Sequence, residues 1–147
     1  MYLAIDPGIH TGWAVLAISG QLLSCGLGEN YLSRGLVTSA IIERPQVYRP
    51  SLSKGDPNDL ITLAIRVGQY KERLETRGVN VSLVLPATWK GQVPKGIHHG
   101  RIEADLSYAE RALMQPWPRT RKGDGVAGNV WDAVGLAKWA FAQRKFA

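Results

Sequence analysis

MYLAIDPGIHTGWAVL, residues 1–16, decides how the rest of the chain is read. Tyr2, Leu3, Ala4 and Ile5 form a short apolar run, and Asp6 ends it. Pro7-Gly8 forces a turn, because proline presets φ and glycine accepts positive φ. A second apolar run over 12–18 is then the returning strand of a hairpin. One carboxylate therefore stands at the exit of a buried strand, beside a turn that lets another group approach the backbone. Asp6 also has a plainer explanation as the stabiliser of an Asp-Pro turn. Its meaning depends on whether other acids come to meet it.

Working outward, strands are predicted over 1–6, 12–18 and 21–26 as an antiparallel meander, with Ser19-Gly20 turning between the second and third. A polar loop, 28–34, leads to TSAII at 38–42, another buried strand. Glu43 stands at its exit and Arg44-Pro45 stops it, which repeats the pattern of the first strand. An ordinary polar strand end is the plain account of Glu43. After a loop over 46–55 rich in Pro, Ser, Lys and Arg, Asp56 as N-cap and Pro57 at the first position open a helix over 57–77. Leu60, Ala64, Val67 and Leu74 keep its helical spacing, and Gly78 stops it. A strand over 79–85 follows, closed by Pro86.

Residues 87–100 read as a second basic loop carrying Trp89, Lys90, Lys95, His98 and His99. Adjacent histidines do not share a helix face and no neighbouring acid or cysteine completes a metal set, so a solvated loop near phosphate is expected there. Next comes a helix over 101–114 with Ile102, Leu106, Ala109 and Leu113 on one face, then a third basic, glycine-rich loop over 115–128. The last helix is predicted over 129–146, with Asn129 as N-cap and Asp132 at its third position, an arrangement like a capping box. Val130, Val134, Ala137 and Phe141 form one apolar stripe, while Leu136 and Trp139 make Asp132's own face apolar as well. A helix apolar on two faces is largely buried, so its first turn aims a carboxylate into the protein. Strand, helix and strand at 38–85 imply a crossover between parallel strands. The expected fold is α/β, a single domain over 1–147 with a five-stranded mixed sheet: a three-strand antiparallel meander plus two parallel strands, flanked by helices.

Composition narrows the classes of partner. The chain of 147 residues is 45% hydrophobic and 20% charged, the profile of a globular domain with a sizeable core. No apolar run approaches the roughly 18 residues of a membrane span. The N-terminus lacks a basic region followed by a long apolar stretch, so no signal peptide is expected. The one cysteine, Cys25, forms neither an internal disulfide nor a metal–thiolate cluster, which fits a reducing, cytoplasmic setting. A net charge of +6 points to a polyanionic partner, and five tryptophans and five tyrosines include candidates for stacking on unpaired bases.

Asp6, Glu43 and Asp132 each stand at the end of a buried element. If the first and fourth strands are neighbours and the last helix packs over them, the three carboxylates converge. Anions about 4 Å apart repel by about 4 kcal/mol per pair at an effective dielectric near 20. A proton or a cation must then join them, and on repulsion alone Asp132→Asn is expected to raise the stability of the metal-free protein. Hard oxygen ligands select Mg²⁺ or Mn²⁺. Two such ions roughly 3.5–4 Å apart are the usual machinery of phosphodiester hydrolysis, one activating water and the other stabilising the leaving oxygen.

LAIDPG followed by TGWAVL, then IIE, then NVWDAVGLAKWA resembles the motifs of the RNase H-like nucleases, specifically the RuvC-type Holliday junction resolvases. LPATWKGQVPKG resembles that family's basic loop after the fifth strand. The resemblance runs over most of the chain, and the small size is that of a divergent member, with a phage as the expected source. It implies an RNase H-like fold and a homodimer that cuts two symmetric strands of a four-way DNA junction with divalent metal, leaving 5′-phosphate and 3′-hydroxyl. By position, Asp6, Glu43 and Asp132 match the catalytic acids that hold two Mg²⁺, with Mn²⁺ able to substitute. The family's fourth ligand, Asp or His, falls here on Asn129, whose amide can ligate but carries no charge; Asp124 is the alternative. Lys90 and Lys95 match the DNA-contacting loop, Arg121 is a further phosphate contact, and Tyr48 lies roughly where the family wedges an aromatic into the junction. The family's helix between the third and fourth strands has too few residues to form here. Two other functions stay open: a nuclease of other branched DNA or RNA–DNA hybrids, and a non-catalytic junction-binding module, which Asn129 motivates.

Overall fold

The computed structural model describes residues 1–33, 35–47, 55–123 and 125–146. Its five strands are β1 (Tyr2–Asp6), β2 (Gly12–Leu16), β3 (Leu22–Leu27), β4 (Ser39–Glu43) and β5 (Asn80–Val84). They form one sheet in the order β3-β2-β1-β4-β5. The first three strands pair antiparallel, with Asp6 opposite Gly12. β4 pairs parallel with β1 and with β5, the register Ile5 to Ile42 bringing the C-terminal ends of β1 and β4 side by side. The expected mixed sheet is therefore present, with the first and fourth strands adjacent.

Five α-helices are found among the described residues: α1 (Pro57–Glu75), α2 (Pro86–Trp89), α3 (Lys95–Asp105), α4 (Tyr108–Leu113) and α5 (Val126–Ala142). Between β3 and β4 there is a single 3-10 turn, Asn30–Ser33, among the described residues. Strand side chains alternate between faces, and two cores follow. Leu3, Ile5, Trp13, Val15, Ala40 and Ile42 pack against Val67, Tyr70 and Leu74 of α1. Ala4, Ala14, Leu16 and Ile41 pack against Val130, Val134 and Ala137 of α5 on the opposite face. The period of two carries Asp6 and Glu43 onto the α5 face, in step with Ala4 and Ile41. No helix among the described residues is long and apolar enough to cross a membrane.

Among the boundaries that differ from the sequence reading, three lie around the ends of β1 and β4 or the helices packed there. Residues 87–100 are not one loop: α2 ends at Trp89, and α3 begins at Lys95, directly after Pro94. Glycines 91, 96 and 100 masked this helix start, although only Gly91 of the three has positive φ, at 60°. The helix expected over 101–114 breaks at Leu106–Ser107, because Ser107 and Glu110 form a capping box that starts α4. The last helix starts three residues earlier than expected, at Val126, after Gly125 in a positive-φ conformation. Asn129 and Asp132 are thus its fourth and seventh residues, and neither serves as a cap.

Candidate active site

Asp6 is the last residue of β1, and the turn after it is clamped from α1. The Arg66 guanidinium donates to the Gly8 carbonyl at 2.6 Å. Thr11 Oγ1 bonds Gly8 on one side and the Tyr70 hydroxyl, 2.8 Å away, on the other. α5 approaches the same end of the sheet from the opposite face. Gly12, paired with Asp6, makes this approach possible: a Cβ there would lie 2.0 Å from the Asn129 carbonyl oxygen. Asp132, one turn further along α5, is then directed at the ends of β1 and β4.

Two ammonium groups tie these carboxylates together. Lys90, just after α2, has its Nζ 3.0 Å from Glu43 Oε2 and 3.8 Å from Asp132 Oδ2. Lys95, in the first turn of α3, reaches Asp132 Oδ2 at 3.3 Å. Trp89 Nε1 donates to Glu43 Oε2 at 2.6 Å. His99 Nε2 lies 2.9 Å from Asp132 Oδ1, with both side chains 1% exposed.

Three carboxylates share two ammonium groups, whose ion pairs go to Glu43 and Asp132. Burial, then Glu43 and Asp132, push the Asp6 carboxyl well above the usual carboxylate range, against the weaker pull of Lys90 and Lys95. Asp132 behaves in the opposite way. Burial opposes its charge, but the hydrogen bond from His99 and the charges of Lys90 and Lys95 outweigh it and bring the group down to about 2. Burial likewise opposes the charge of Lys90, yet Asp132, Glu43 and Asp6 together hold its pKa above the ordinary lysine value.

The donor set fits a hard divalent cation in kind: three carboxylates at one end of the sheet, with a net negative excess. As the side chains stand, no three His, Cys, Asp or Glu groups among the described residues enclose a metal position; Lys90 and Lys95 supply the positive charge. Asp6, Glu43 and Asp132 would be the residues to hold such an ion.

The remaining predicted residues divide by place. Lys90 and Lys95 belong to the carboxylate cluster itself. Arg121 is exposed on the loop before α5, and its carbonyl sits where a Cβ on Gly96 would lie 2.1 Å away, so this loop packs beside Lys95. Asn129 contributes its backbone to the contact with Gly12. Tyr48 and Asp124 lie outside the described residues. Sequence reasoning missed His99 as a partner of Asp132, and placed it in a solvated loop. The signal was present, since a helix starting after Pro94 puts Lys95, His99 and Ile102 on one face.

The five-stranded mixed sheet with its flanking helices is shared with solved structures. RuvC from T. thermophilus in complex with Holliday junction substrate matches with a TM-score of 0.66 and 19% identity, over 98% of this chain and 95% of that one. A second Thermus thermophilus RuvC structure matches with a TM-score of 0.61, 20% identity and the same coverage. Fowlpox virus resolvase in complex with Holliday junction DNA follows with a TM-score of 0.59 and 14% identity, over 95% of this chain and 98% of that one. At these identities the likeness is one of fold. No family model matches the sequence, and no curated protein matches it.

Proposed function

We propose that this chain is a divalent-metal-dependent, structure-selective DNA endonuclease that resolves four-way junctions by paired, symmetric cuts. The observation that carries this is the convergence of Asp6, Glu43 and Asp132 with Lys90 and Lys95 on a fold shared with resolvases solved on junction DNA. Asp6, Glu43 and Asp132 hold the cation, Mg²⁺ or Mn²⁺, which supplies activation of water and stabilisation of the leaving oxygen. Asp6 has the least stabilised charge of the three and gains most from that cation. Lys95, about half exposed, and the exposed Arg121 would contact the phosphate backbone, Lys95 once the cation has taken its place at Asp132. Paired cuts need two such sites, so the active unit is a homodimer. Ile61 and Ile65, one turn apart and exposed on α1, are the apolar residues offered for its interface.

The pairing of both lysines with the carboxylates favours one second reading, a module that binds junctions without cutting. Cleavage of a labelled synthetic four-way junction separates the two, run beside linear duplex and RNA–DNA hybrid with Mg²⁺, Mn²⁺ or EDTA. Paired nicks that require both metal and Asp6, with an Asp6→Asn control, establish the resolvase. Tight junction binding with no cutting under either metal establishes the module, and preferential cutting of the hybrid redirects the substrate.

A further inference from the structure

His99 is as buried as Asp132 and belongs to a different element, which makes their contact a link between α3 and α5. Its ring lies against Trp131, with centroids 6.3 Å apart and planes 28° apart. Gly128, four residues before Asp132 on α5, lies beside it: a Cβ there would be in ordinary contact with His99 Cε1 at 3.6 Å, while the Gly123 carbonyl oxygen, 2.7 Å away, is what excludes a side chain. The imidazole is therefore fixed by packing before it makes any polar contact.

The two oxygens of Asp132 are thereby given different partners. Oδ1 faces His99 Nε2 at 2.9 Å, inside the protein. Oδ2 faces Lys95 at 3.3 Å and Lys90 at 3.8 Å, on the side of Asp6 and Glu43. The lysines end long stems, and Lys95 is half exposed, so both can leave when another cation arrives. The imidazole cannot, being enclosed on all sides. The tautomer that carries its proton on Nε2 donates it to Asp132 Oδ1.

We propose that His99 is a positioning residue for Asp132: its Nε2–H holds Oδ1 and presents Oδ2 as the oxygen that meets the divalent cation. The proposal rests on Asp132 being a metal ligand, as argued above. Outer partners of this type fix the orientation of a ligand, and their loss typically costs 10–100-fold in metal affinity.

The test is Mn²⁺ binding to the DNA-free protein by titration calorimetry, with urea unfolding in EDTA as control. His99→Phe retains a ring against Trp131 and removes the donor; His99→Gln retains a donor. The expected result is a 10–100-fold loss of Mn²⁺ affinity in His99→Phe and a substantial recovery in His99→Gln. Equal affinity in His99→Phe and wild type overturns the proposal while leaving Asp132 as a ligand. No Mn²⁺ binding by wild type overturns the metal site itself and this inference with it. Wild-type protein supplies a second measurement that needs no variant. Imidazole ¹⁵N spectra with and without Mg²⁺ should show the Nε2 of His99 protonated in both, and conversion of Nε2 to a ligating nitrogen overturns the positioning role.

Discussion

Asp6→Asn and Asp132→Asn each remove one negative charge from the same site, and they should shift the stability of the metal-free protein in opposite directions. Asp132 is held at about 2 against an ordinary value of 3.8, a difference that corresponds to roughly 2 kcal/mol favouring its charged form. Lys95 is half exposed, so screening brings the expected loss in Asp132→Asn to about 1–2 kcal/mol. The amide still accepts from His99, so the loss reports chiefly on the two lysines. This reverses the expectation from repulsion alone, because Lys90 and Lys95 answer the charge of Asp132 and leave the deficit on Asp6. Asp6→Asn removes the least compensated carboxylate and should stabilise by on the order of 1 kcal/mol at an effective dielectric near 20. The assay is urea unfolding in EDTA at pH 7.5 and low salt. The pH dependence has a defined sign. Asp6 is raised on folding, so its destabilising contribution is absent in acid and grows as pH rises from about 4 through its folded value. Asp132 is depressed, so its contribution is present above about 4 and lost as pH falls toward about 2. Wild type should therefore gain stability as pH falls through the raised folded value of Asp6 toward about 4, and Asp6→Asn should lose most of that slope. A more stable Asp132→Asn in EDTA would refute the assignment of charges within the cluster.

Adding Mg²⁺ at 100 times its dissociation constant should stabilise wild type by about 2.7 kcal/mol, and Asp6→Asn by clearly less, read as shifts in Tm. Lys95→Ala and Arg121→Ala should weaken binding of four-way junctions of any sequence, each lowering the salt-dependence slope by about one unit in binding isotherms at several salt concentrations. Gly12→Ala should cost about 1–3 kcal/mol in urea unfolding, because the new methyl meets the Asn129 carbonyl and pushes α5 off the end of β1. The same variant should lose cleavage more than it loses junction binding, since the displaced helix carries Asp132.

The acids were legible in the sequence because each ends an element whose type local chemistry decides. Pro7-Gly8 must turn, Pro45 must stop a strand, and the two apolar faces of α5 must be buried. The sheet followed for the same reason, since alternation and turn residues act over a few positions. The connections around the site were not legible, because there tertiary contacts overrule local signals. Gly96 reads as a breaker, yet it lies inside α3, where its missing side chain admits the Arg121 carbonyl. Asn129 reads as a cap, yet the helix starts earlier and uses it to lie against Gly12. Charge shows the same limit most clearly. A sequence counts three acids and predicts mutual repulsion; only the folded chain reveals that Lys90 and Lys95, 42 and 37 residues before Asp132, return to pair with it. These are the lysines that the sequence assigned to DNA, and they cannot serve the phosphate backbone while they neutralise the carboxylates. A cation that takes over Glu43 and Asp132 therefore also frees two ammonium groups at the edge of the site, so metal loading and phosphate binding should strengthen one another.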